Sequence, residues 1–384
     1  MKYLAADISG KVENYDNALY QAMITCLPED AQLVFACPYY TIAKNAEALH
    51  FHSYVSKKHR QSVNPLKRMI KAMEGVFNYN RLYRYIKRTS LDVLHLQWLP
   101  FLEVCNWEKH WLRKVRSHFP DTKIILTLHN IYPHNSSAEQ QTVYRRRMAE
   151  VMPFISQFIV HTHSSKQKAH DEFGIALDKI TVIPHGIFMP EQFPKRERAD
   201  KPLRLLLFGQ QSAYKGTDLF VEAIEQLPTS YRQKVDIRII GSTDQQIIET
   251  YQERAQKIGI TWQNTFIEDQ QLFQEIQNSD ILVYPYRAIA QSGALLLGIA
   301  FQKPIILSDL PSFQETMGKE YPQELFCKKG DIQSLSQALT HCIDQYEEYK
   351  KRVVPVLQTI IEENSWHKAA LKTIALYNES YATR

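Results

Sequence analysis

The chain has 384 residues, enough for two α/β domains, and its 44% hydrophobic and 23% charged content is ordinary for a globular protein. No run of about 18 apolar residues predicts a membrane-spanning helix, and the five scattered cysteines form no CxxC pair or metal-like spacing, which favours a reducing cytoplasm. The net charge of +5 is uneven, because the first 190 residues hold 24 Lys and Arg against 16 Asp and Glu. Such a basic half suits an anionic lipid surface, a phosphate-bearing substrate or a nucleic acid, and solvated helix faces explain it equally well.

Apolar strand-like runs alternate with helical patterns along the whole chain, which predicts parallel sheets with helices on both faces. The predicted strands are Lys2–Ala6, Gln32–Ala36, Val93–Leu96, Lys123–Leu128, Phe158–His161 and Ile180–Ile183 in the first half, and Leu203–Phe208, Asp236–Ile240, Ile281–Val283 and Ile305–Leu307 in the second. We therefore predict an α/β fold of two Rossmann-like, doubly wound domains that face a cleft. Ligands bind such sheets at the carboxyl ends of their strands.

The domain boundaries follow from a stretch rich in proline and charge. The first domain is predicted to cover residues 1–188, the linker 189–202 and the second domain 203–364. The amphipathic segment 365–384 is predicted to form a helix that packs back on the first domain.

The first strand is followed by a segment rich in hydrogen-bonding side chains, predicted to be a loop that ends at a helix from Ala18 to Thr25. Within this loop Asp7, Glu13 and Asp16 are candidates for a general base. For Asp16 and Asn17 a helix cap is the favoured alternative.

The segment from Leu66 to Tyr85 mixes basic residues with methionine, phenylalanine and tyrosine, which is typical of an interfacial helix. An ordinary helix with its apolar face in the core is at least as good an explanation. Further basic clusters lie at 57–60 and 145–147. Together they favour contact with the cytoplasmic face of a membrane.

The most informative stretch lies in the second half, where strand Ile281–Val283 is followed by the turn Gln291–Gly293 and a run of helix formers. The first N–H groups of a helix have no internal partner, so this turn predicts an anion site. The predicted strand Leu203–Phe208 is followed by Gly209, and Lys215 lies six residues further on, near the start of a helix. The chain contains no GxxxxGK[ST] motif, so Lys215 and this turn predict diphosphate binding without an ATPase P-loop. A solvent-exposed lysine is the alternative.

Several segments follow one another in an order found in a known family. They are Gly209–Gly216, Arg238–Ser242, Phe266–Leu272, Asp280–Tyr286 and Pro304–Glu315 in the second half, and Asp92–Trp98, Thr127–His134 and Ile183–Gly186 in the first. In this order the chain resembles the glycosyltransferases of the two-Rossmann-domain type, GT-B, and most closely the nucleotide-sugar enzymes of family 4. The resemblance covers most of residues 90–380.

The resemblance implies a metal-independent hexosyltransferase that takes a nucleotide-diphosphate sugar as substrate and needs no other cofactor. The acceptor would be a glycan or lipid-linked glycan of cell-surface polysaccharide or glycolipid synthesis, and retention of anomeric configuration is favoured over inversion. The predicted donor-binding residues are Gly209, Gln210, Lys215, Gly241, Asp269, Gln291, Ser292, Gly293 and Ala294, the predicted acceptor-binding residues are Gly10, Tyr15 and Asn17, and the predicted catalytic residues are His129 and Asp16.

Two other functions stay open: a nucleotide-sugar epimerase on the same fold, and a non-catalytic nucleotide- or sugar-binding homologue. No nucleic-acid partner is predicted, because the basic residues are spread over helices without a recognition motif. The predicted location is the cytoplasm, at the inner face of the membrane.

The chain departs from the family pattern at three places. Gln210 stands where the family has an arginine, and Ile289 and Leu297 stand where it has two glutamates. The turn at Gln291–Gly293 is therefore predicted to hold phosphate by backbone N–H groups and a hydroxyl, with ribose contacts elsewhere.

In the first half, His129 ends a strand, where related enzymes place a histidine against the donor sugar. A strand-end histidine that caps a loop is the alternative. His161 and His185 are weaker candidates, because isolated histidines usually satisfy local hydrogen bonds.

Overall fold

The computed structural model describes residues 1–37, 47–50, 65–133, 136–190, 202–289 and 291–379. The basic cluster at 57–60, His134 and most of the predicted linker, from 191 to 201, lie outside the described residues. The chain forms two compact units. Unit 1 combines Met1–Gly186 with the segment that begins at Asn364, and unit 2 is Ile187–Glu363.

Unit 1 is built on a parallel sheet that has seven strands in the described chain, in the order β3-β2-β1-β4-β5-β6-β7. The strands are β1 Lys2–Ala6, β2 Gln32–Cys37, β3 Glu47–His50, β4 Val93–Leu96, β5 Lys123–Thr127, β6 Gln157–Val160 and β7 Ile180–Val182. The helices of this unit are α1 Glu13–Cys26, α2 Pro65–Thr89, α3 Trp107–His118, α4 Ala138–Val151, α5 His163–Phe173 and, from the far end of the chain, α14 Trp366–Asn378.

Unit 2 has a second parallel sheet, with six strands in the order β10-β9-β8-β11-β12-β13. Its strands are β8 Leu203–Phe208, β9 Val235–Ile240, β10 Ile260–Gln263, β11 Ile281–Tyr284, β12 Ile305–Ser308 and β13 Phe326–Cys327. Its helices are α6 Thr217–Gln226, α7 Thr229–Arg232, α8 Gln245–Lys257, α9 Asp269–Gln277, α10 Gly293–Ala300, α11 Pro311–Met317, α12 Ile332–Asp344 and α13 Tyr346–Glu363.

The central strands of both sheets are buried along their length, as β4, β5, β11 and β12 show. A parallel sheet covered by helices on both faces needs apolar residues at consecutive positions, which explains their nearly uninterrupted apolar runs. The predicted α/β fold of two Rossmann-like domains is confirmed. None of the described helices is both long and apolar enough to span a bilayer.

Helix α14 lies against α1 and completes the core of unit 1. Ala370, Ile374 and Tyr377 are buried there beside Leu19 and Tyr20. Two hydrogen bonds fasten the end of the helix to the sheet. They run from the Tyr3 hydroxyl to Asn378 Oδ1 at 2.6 Å and between the Tyr377 hydroxyl and His95 Nδ1 at 2.7 Å.

Sequence analysis missed three strands, β3, β10 and β13, and each of them lies at an edge of its sheet. β10 alternates buried and exposed residues, and β13 has only two residues, so neither produces a long apolar run.

The predicted start of the first helix was also wrong. Helix α1 begins at Glu13 rather than Ala18, because Tyr15, Leu19 and Met23 share one buried face.

Candidate functional site

Lys215 lies at the carboxyl edge of the sheet in unit 2, in a short 3-10 turn between β8 and α6. Its side chain is only 7% exposed, and burial lowers the pKa of the ammonium to about 8. Among the described residues no carboxylate pairs with it, and its Nζ lies over the ring of Tyr286, 5.5 Å from the ring centroid. A buried cation that lacks a counter-ion at this edge is suited to receive an anionic ligand.

Two glycines shape this turn by allowing close approach. Gly216 has φ +70, and a Cβ there would lie 2.0 Å from the carbonyl oxygen of Pro285, just after β11. Gly209 has φ +94, and its Cβ would lie 2.8 Å from Lys215 Nζ. The ammonium therefore folds over the end of β8, where any larger residue than glycine would push it away.

The N-terminus of α10 lies at the same sheet edge, directly after the loop that follows β11. Ser292 is the N-cap, and its Oγ accepts a hydrogen bond of 3.1 Å from Leu295 N. A Cβ added at Gly293 would meet nothing within 4 Å, so the first turn of the helix is open. The backbone N–H groups of Gly293 and Ala294 thus remain for an anion.

An ion pair that sequence analysis missed joins the Lys215 turn to the loop that follows β11. Arg287, three residues after β11, makes bonds of 2.7 and 2.6 Å to the carboxylate of Asp218 in the first turn of α6. Its Nη1 also donates to Ala213 O, and its backbone N–H donates to Tyr214 O. The pair fixes the Lys215 turn against the β11 loop. The signal available in the sequence was a pair of opposite charges, with Asp218 just after the Lys215 segment and Arg287 just before the Gln291–Gly293 turn.

The remaining predicted donor residues occupy different environments. Gln210 is exposed, whereas its neighbour Gln211 is fully buried, with Nε2 donating to Gly209 O and Oε1 accepting from the Thr217 hydroxyl. Gly241 follows β9, and its Cβ position would collide with Gly209 O at 2.1 Å. Asp269 is an exposed residue in the first turn of α9.

The two places where the family has glutamates are packing positions in this chain. Ile289 and Leu297 are partly buried against the apolar core of unit 2. Neither side chain has a polar atom that could bind a ribose or a sugar.

At the carboxyl edge of the sheet in unit 1, four successive strands each end in a polar side chain. Gln97 follows β4, His129 follows β5, His161 follows β6 and His185 follows β7. His129 Nε2 lies 3.2 Å from Gln97 Oε1, and its Nδ1 lies 3.2 Å from His161 Nε2. Parallel strands bring these positions to one edge of the sheet, so the polar residues at the predicted strand ends were the signal in the sequence, and the strand order decides which of them are neighbours.

Burial lowers the pKa of each of these imidazoles, to about 4 for His161 and about 3 for His185, and well below its usual value for His129. The rings are therefore neutral at pH 7. His161 Nδ1 donates to Ile183 O at 3.0 Å, so its Nε2 accepts from His129 Nδ1. Nε2 of His129 is then an acceptor, so we assign the Gln97 amide in the flipped orientation, with its NH₂ toward His129 Nε2 and its oxygen accepting from the Tyr20 hydroxyl.

Aromatic rings surround the histidines. The Tyr15 ring lies 4.7 Å from the ring of His129, 4.9 Å from that of His185 and 5.4 Å from that of Trp366 in α14. Trp98 stacks on His129 with 6.2 Å between centroids and lines a small pocket beside it. His129 is thus held rigidly and remains partly exposed toward that pocket.

The loop after β1 is organised by Asp7, which sequence analysis considered as a general base. Its carboxylate accepts hydrogen bonds from the backbone N–H groups of Ser9, Gly10 and Val12 at 2.9–3.1 Å. The predicted acceptor residue Gly10 is buried in this turn and uses its N–H there. Asp7 therefore has a role in holding the loop closed.

The helix-cap interpretation of Asp16 and Asn17 is wrong, because the cap position of α1 is Val12. Asp16 lies inside the helix and is fully buried, and within the described part of the chain neither of its carboxyl oxygens has a hydrogen-bond partner. Burial, followed by the nearby charge of Asp7, raises the pKa of Asp16 well above its usual value. Asn17, one residue further on, accepts a hydrogen bond from Gln21 Nε2.

We expect Asp16→Asn to stabilise the protein at neutral pH. A carboxyl group whose pKa is raised by folding must take up a proton, so the wild-type protein loses stability as the pH rises above about 4, the pKa in the unfolded chain. The difference in melting temperature between the variant and the wild type should widen from pH 4 to pH 7. Asn17→Ala, at a neighbouring position that carries no charge, should show no such pH-dependent difference.

The same variant tests the predicted catalytic role. A general base at Asp16 requires a loss of turnover of about 10²-fold or more in Asp16→Asn. Turnover within twofold of the wild type would remove Asp16 from the catalytic residues.

Two family models match the chain, one in each unit. The model described as "Glycosyltransferase Family 4" matches residues 33–188, and the model described as "Glycosyl transferases group 1" matches residues 202–345. The solved structures that resemble the fold include a sucrose-phosphate synthase from Thermosynechococcus elongatus, with a TM-score of 0.73, 13% identity and full coverage of both chains. Anabaena Alr3699/HepE in complex with UDP has a TM-score of 0.67 and 13% identity, and covers 99% of this chain and 100% of its own.

The chain belongs to the GT-B glycosyltransferases of the family 4 type. A curated relative is the GDP-mannose:glycolipid 4-beta-D-mannosyltransferase of Xanthomonas campestris pv. campestris, which is 22% identical over 238 residues, or 56% of this chain. The match spans 60% of the length of that relative.

Proposed function

We propose that the protein transfers a hexose from a nucleotide-diphosphate sugar to a hydroxyl of a glycan or lipid-linked glycan, in the synthesis of a cell-surface polysaccharide or glycolipid. The observation that carries this proposal is the buried ammonium of Lys215, which has no carboxylate partner among the described residues, at the same sheet edge as the open N-terminus of α10. Both groups favour negative charge, and a leaving nucleoside diphosphate gains negative charge in the transition state. The donor diphosphate would thus be stabilised by Lys215 and the helix N-terminus, without a required metal ion.

The relative that uses GDP-mannose makes that donor the first to test. Binding should be measured as a thermal shift with GDP-, UDP-, ADP- and CMP-sugars, because a ligand specific for the folded state raises the melting temperature. We expect one nucleotide to stabilise unit 2, and acceptor to increase the donor-dependent release of nucleoside diphosphate.

The predicted retention is tested by the anomeric configuration of the product, read from its NMR coupling constants. Addition of EDTA should leave the rate unchanged if no metal ion takes part.

A non-catalytic nucleotide-binding protein is the second candidate, because Ile289 and Leu297 replace the two family glutamates. Specific binding of a nucleotide without turnover, across a broad panel of donors and acceptors, would favour it. Interconversion of free nucleotide-sugar isomers without an acceptor would instead favour an epimerase.

A further inference from the structure

The first half of α2 carries a row of apolar side chains on its solvent side. They are Leu66, Met69, Ile70, Met73 and Phe77, with exposed fractions of 60, 55, 36, 63 and 52%. Their spacing of three and four residues places them on one face of the helix. Scattered apolar residues are common on protein surfaces, but a contiguous row of this length marks a contact surface. The alternative from sequence, an apolar face packed in the core, is wrong for this half of the helix.

The same face becomes basic in the second half of the helix. Arg81, Arg84, Lys87 and Arg88 are exposed there, at positions that continue the spacing of the apolar row. The basic side chains of Lys67, Arg68 and Lys71 lie in the apolar half as well, so α2 carries seven basic residues and one acidic residue, Glu74. We call the five apolar and four basic side chains of this face the α2 face.

The opposite side of α2 anchors it to the sheet of unit 1. Asn78, Tyr79, Leu82 and Ile86 are buried, all of them in the second half of the helix. The Tyr79 hydroxyl donates to the buried carboxylate of Glu108 at 2.7 Å. The helix is about 37 Å long at 1.5 Å per residue. Its anchored half thus holds the apolar half at a defined position on the surface of the unit.

We propose that the α2 face docks unit 1 on a bilayer that contains anionic lipid. Apolar side chains enter the acyl boundary of a membrane, whereas lysine and arginine stay with the phosphates of the headgroups. A nucleic acid would match the basic half and leave the apolar half without a contact. A second copy of the chain packed on this face would set its basic side chains either against those of the first copy or against the apolar row, and neither arrangement matches their charge. The proposal rests on the proposed function, since it places unit 1 where a lipid-linked acceptor is found.

The test is flotation of the full chain with vesicles of phosphatidylglycerol and phosphatidylcholine in equal amounts. We expect binding that weakens with salt, because salt screens the attraction between the basic side chains and the anionic headgroups. We expect no binding to vesicles of phosphatidylcholine alone, because they lack that attraction. Arg84→Glu with Arg88→Glu should weaken binding by roughly 30-fold or more, since each basic residue near an anionic surface contributes about fivefold. Met73→Glu with Phe77→Glu should abolish it.

Matched controls carry the same changes elsewhere on unit 1. Lys168→Glu with Lys179→Glu alters the net charge equally, at exposed positions outside the basic clusters. Leu177→Glu with Leu371→Glu places two glutamates at exposed apolar positions. Both control proteins should bind vesicles as the wild type does.

Three results would overturn the proposal: no vesicle binding by the wild type, equal loss in the control variants, or a stable dimer that only the α2 variants dissociate. The last result would assign the face to a second copy. Thermal shift by the donor nucleotide is measured on the same proteins. If the α2 variants keep that shift, they are folded, and a failure of docking is distinguished from a failure of the donor site.

Discussion

Lys215→Met should strongly lower donor-dependent turnover and at the same time raise the melting temperature of the protein. The ammonium is 7% exposed and has no carboxylate partner among the described residues, so its charge opposes folding. A pKa of about 8 in place of 10.5 corresponds to roughly 3 kcal/mol of unfavourable burial, which an isosteric apolar side chain would remove. Removal of one charge-stabilising group from the leaving diphosphate should lower the rate by about 10²- to 10³-fold.

The pH dependence of this effect has a defined sign. Because folding lowers the pKa of Lys215, the folded protein binds fewer protons than the unfolded chain between pH 8 and 10.5, and wild-type stability rises over that range. The advantage of Lys215→Met should therefore be constant below pH 8 and shrink toward pH 10.5. Nucleotide affinity of the wild type should fall as the pH rises above about 8.

The matched control is Lys319→Met, the same substitution at an exposed lysine of unit 2. It should change neither stability nor nucleotide affinity. A lower melting temperature in Lys215→Met would show that the ammonium supports the fold, and unchanged nucleotide binding would remove the diphosphate site altogether.

His129→Ala should lower kcat by about 10²-fold and leave the affinity for the nucleotide within twofold. The nucleotide is proposed to bind unit 2, whereas the ring of His129 lies in unit 1, against Trp98 and the Gln97–His161 chain. Its neutral state follows from burial, which lowers its pKa well below the usual value. The kcat of the wild type should therefore show no acid limb near pH 6 from this residue.

His163→Ala, at an exposed histidine of the same unit, serves as the control for the alanine substitution. Measurement of kcat and of the nucleotide dissociation constant on both variants separates chemistry from binding. If His129→Ala retained full turnover, the histidine would be a structural member of the cluster, and the interpretation as a loop cap would stand.

The central strands were predictable from sequence because burial on both faces demands uninterrupted apolar runs. β11 and β12 illustrate this, since each was predicted to within one residue. Three of the edge strands, β3, β10 and β13, were not predictable in the same way, because an edge strand pairs on one side only and tolerates polar residues. The fourth edge strand, β7, was predicted because it lies in a run of β-branched residues. The start of α1 was missed because Tyr15 and Asp16 are polar residues that pack inward.

The candidate site, like the fold, could be predicted from sequence only in part. The anion site at Ser292 and Lys215 could be predicted from a local pattern of strand, glycine and helix start. The contacts that hold it, from Arg287 to Asp218, span 69 residues and required the fold. The Gln97, His129, His161 and His185 cluster likewise depends on the order of four parallel strands.

The position of α14 has a consequence for how the chain is made. Unit 2 is one continuous segment, whereas the core of unit 1 is filled by Ala370, Ile374 and Tyr377 from a helix synthesised after all of unit 2. On the ribosome, the part of the chain that emerges first therefore waits longest for its final packing, and unit 2 can complete its fold before it. Until residues 364–378 leave the exit tunnel, the aromatic face around Tyr15 and Tyr20 stays uncovered, and transiently exposed apolar surface of this kind promotes aggregation.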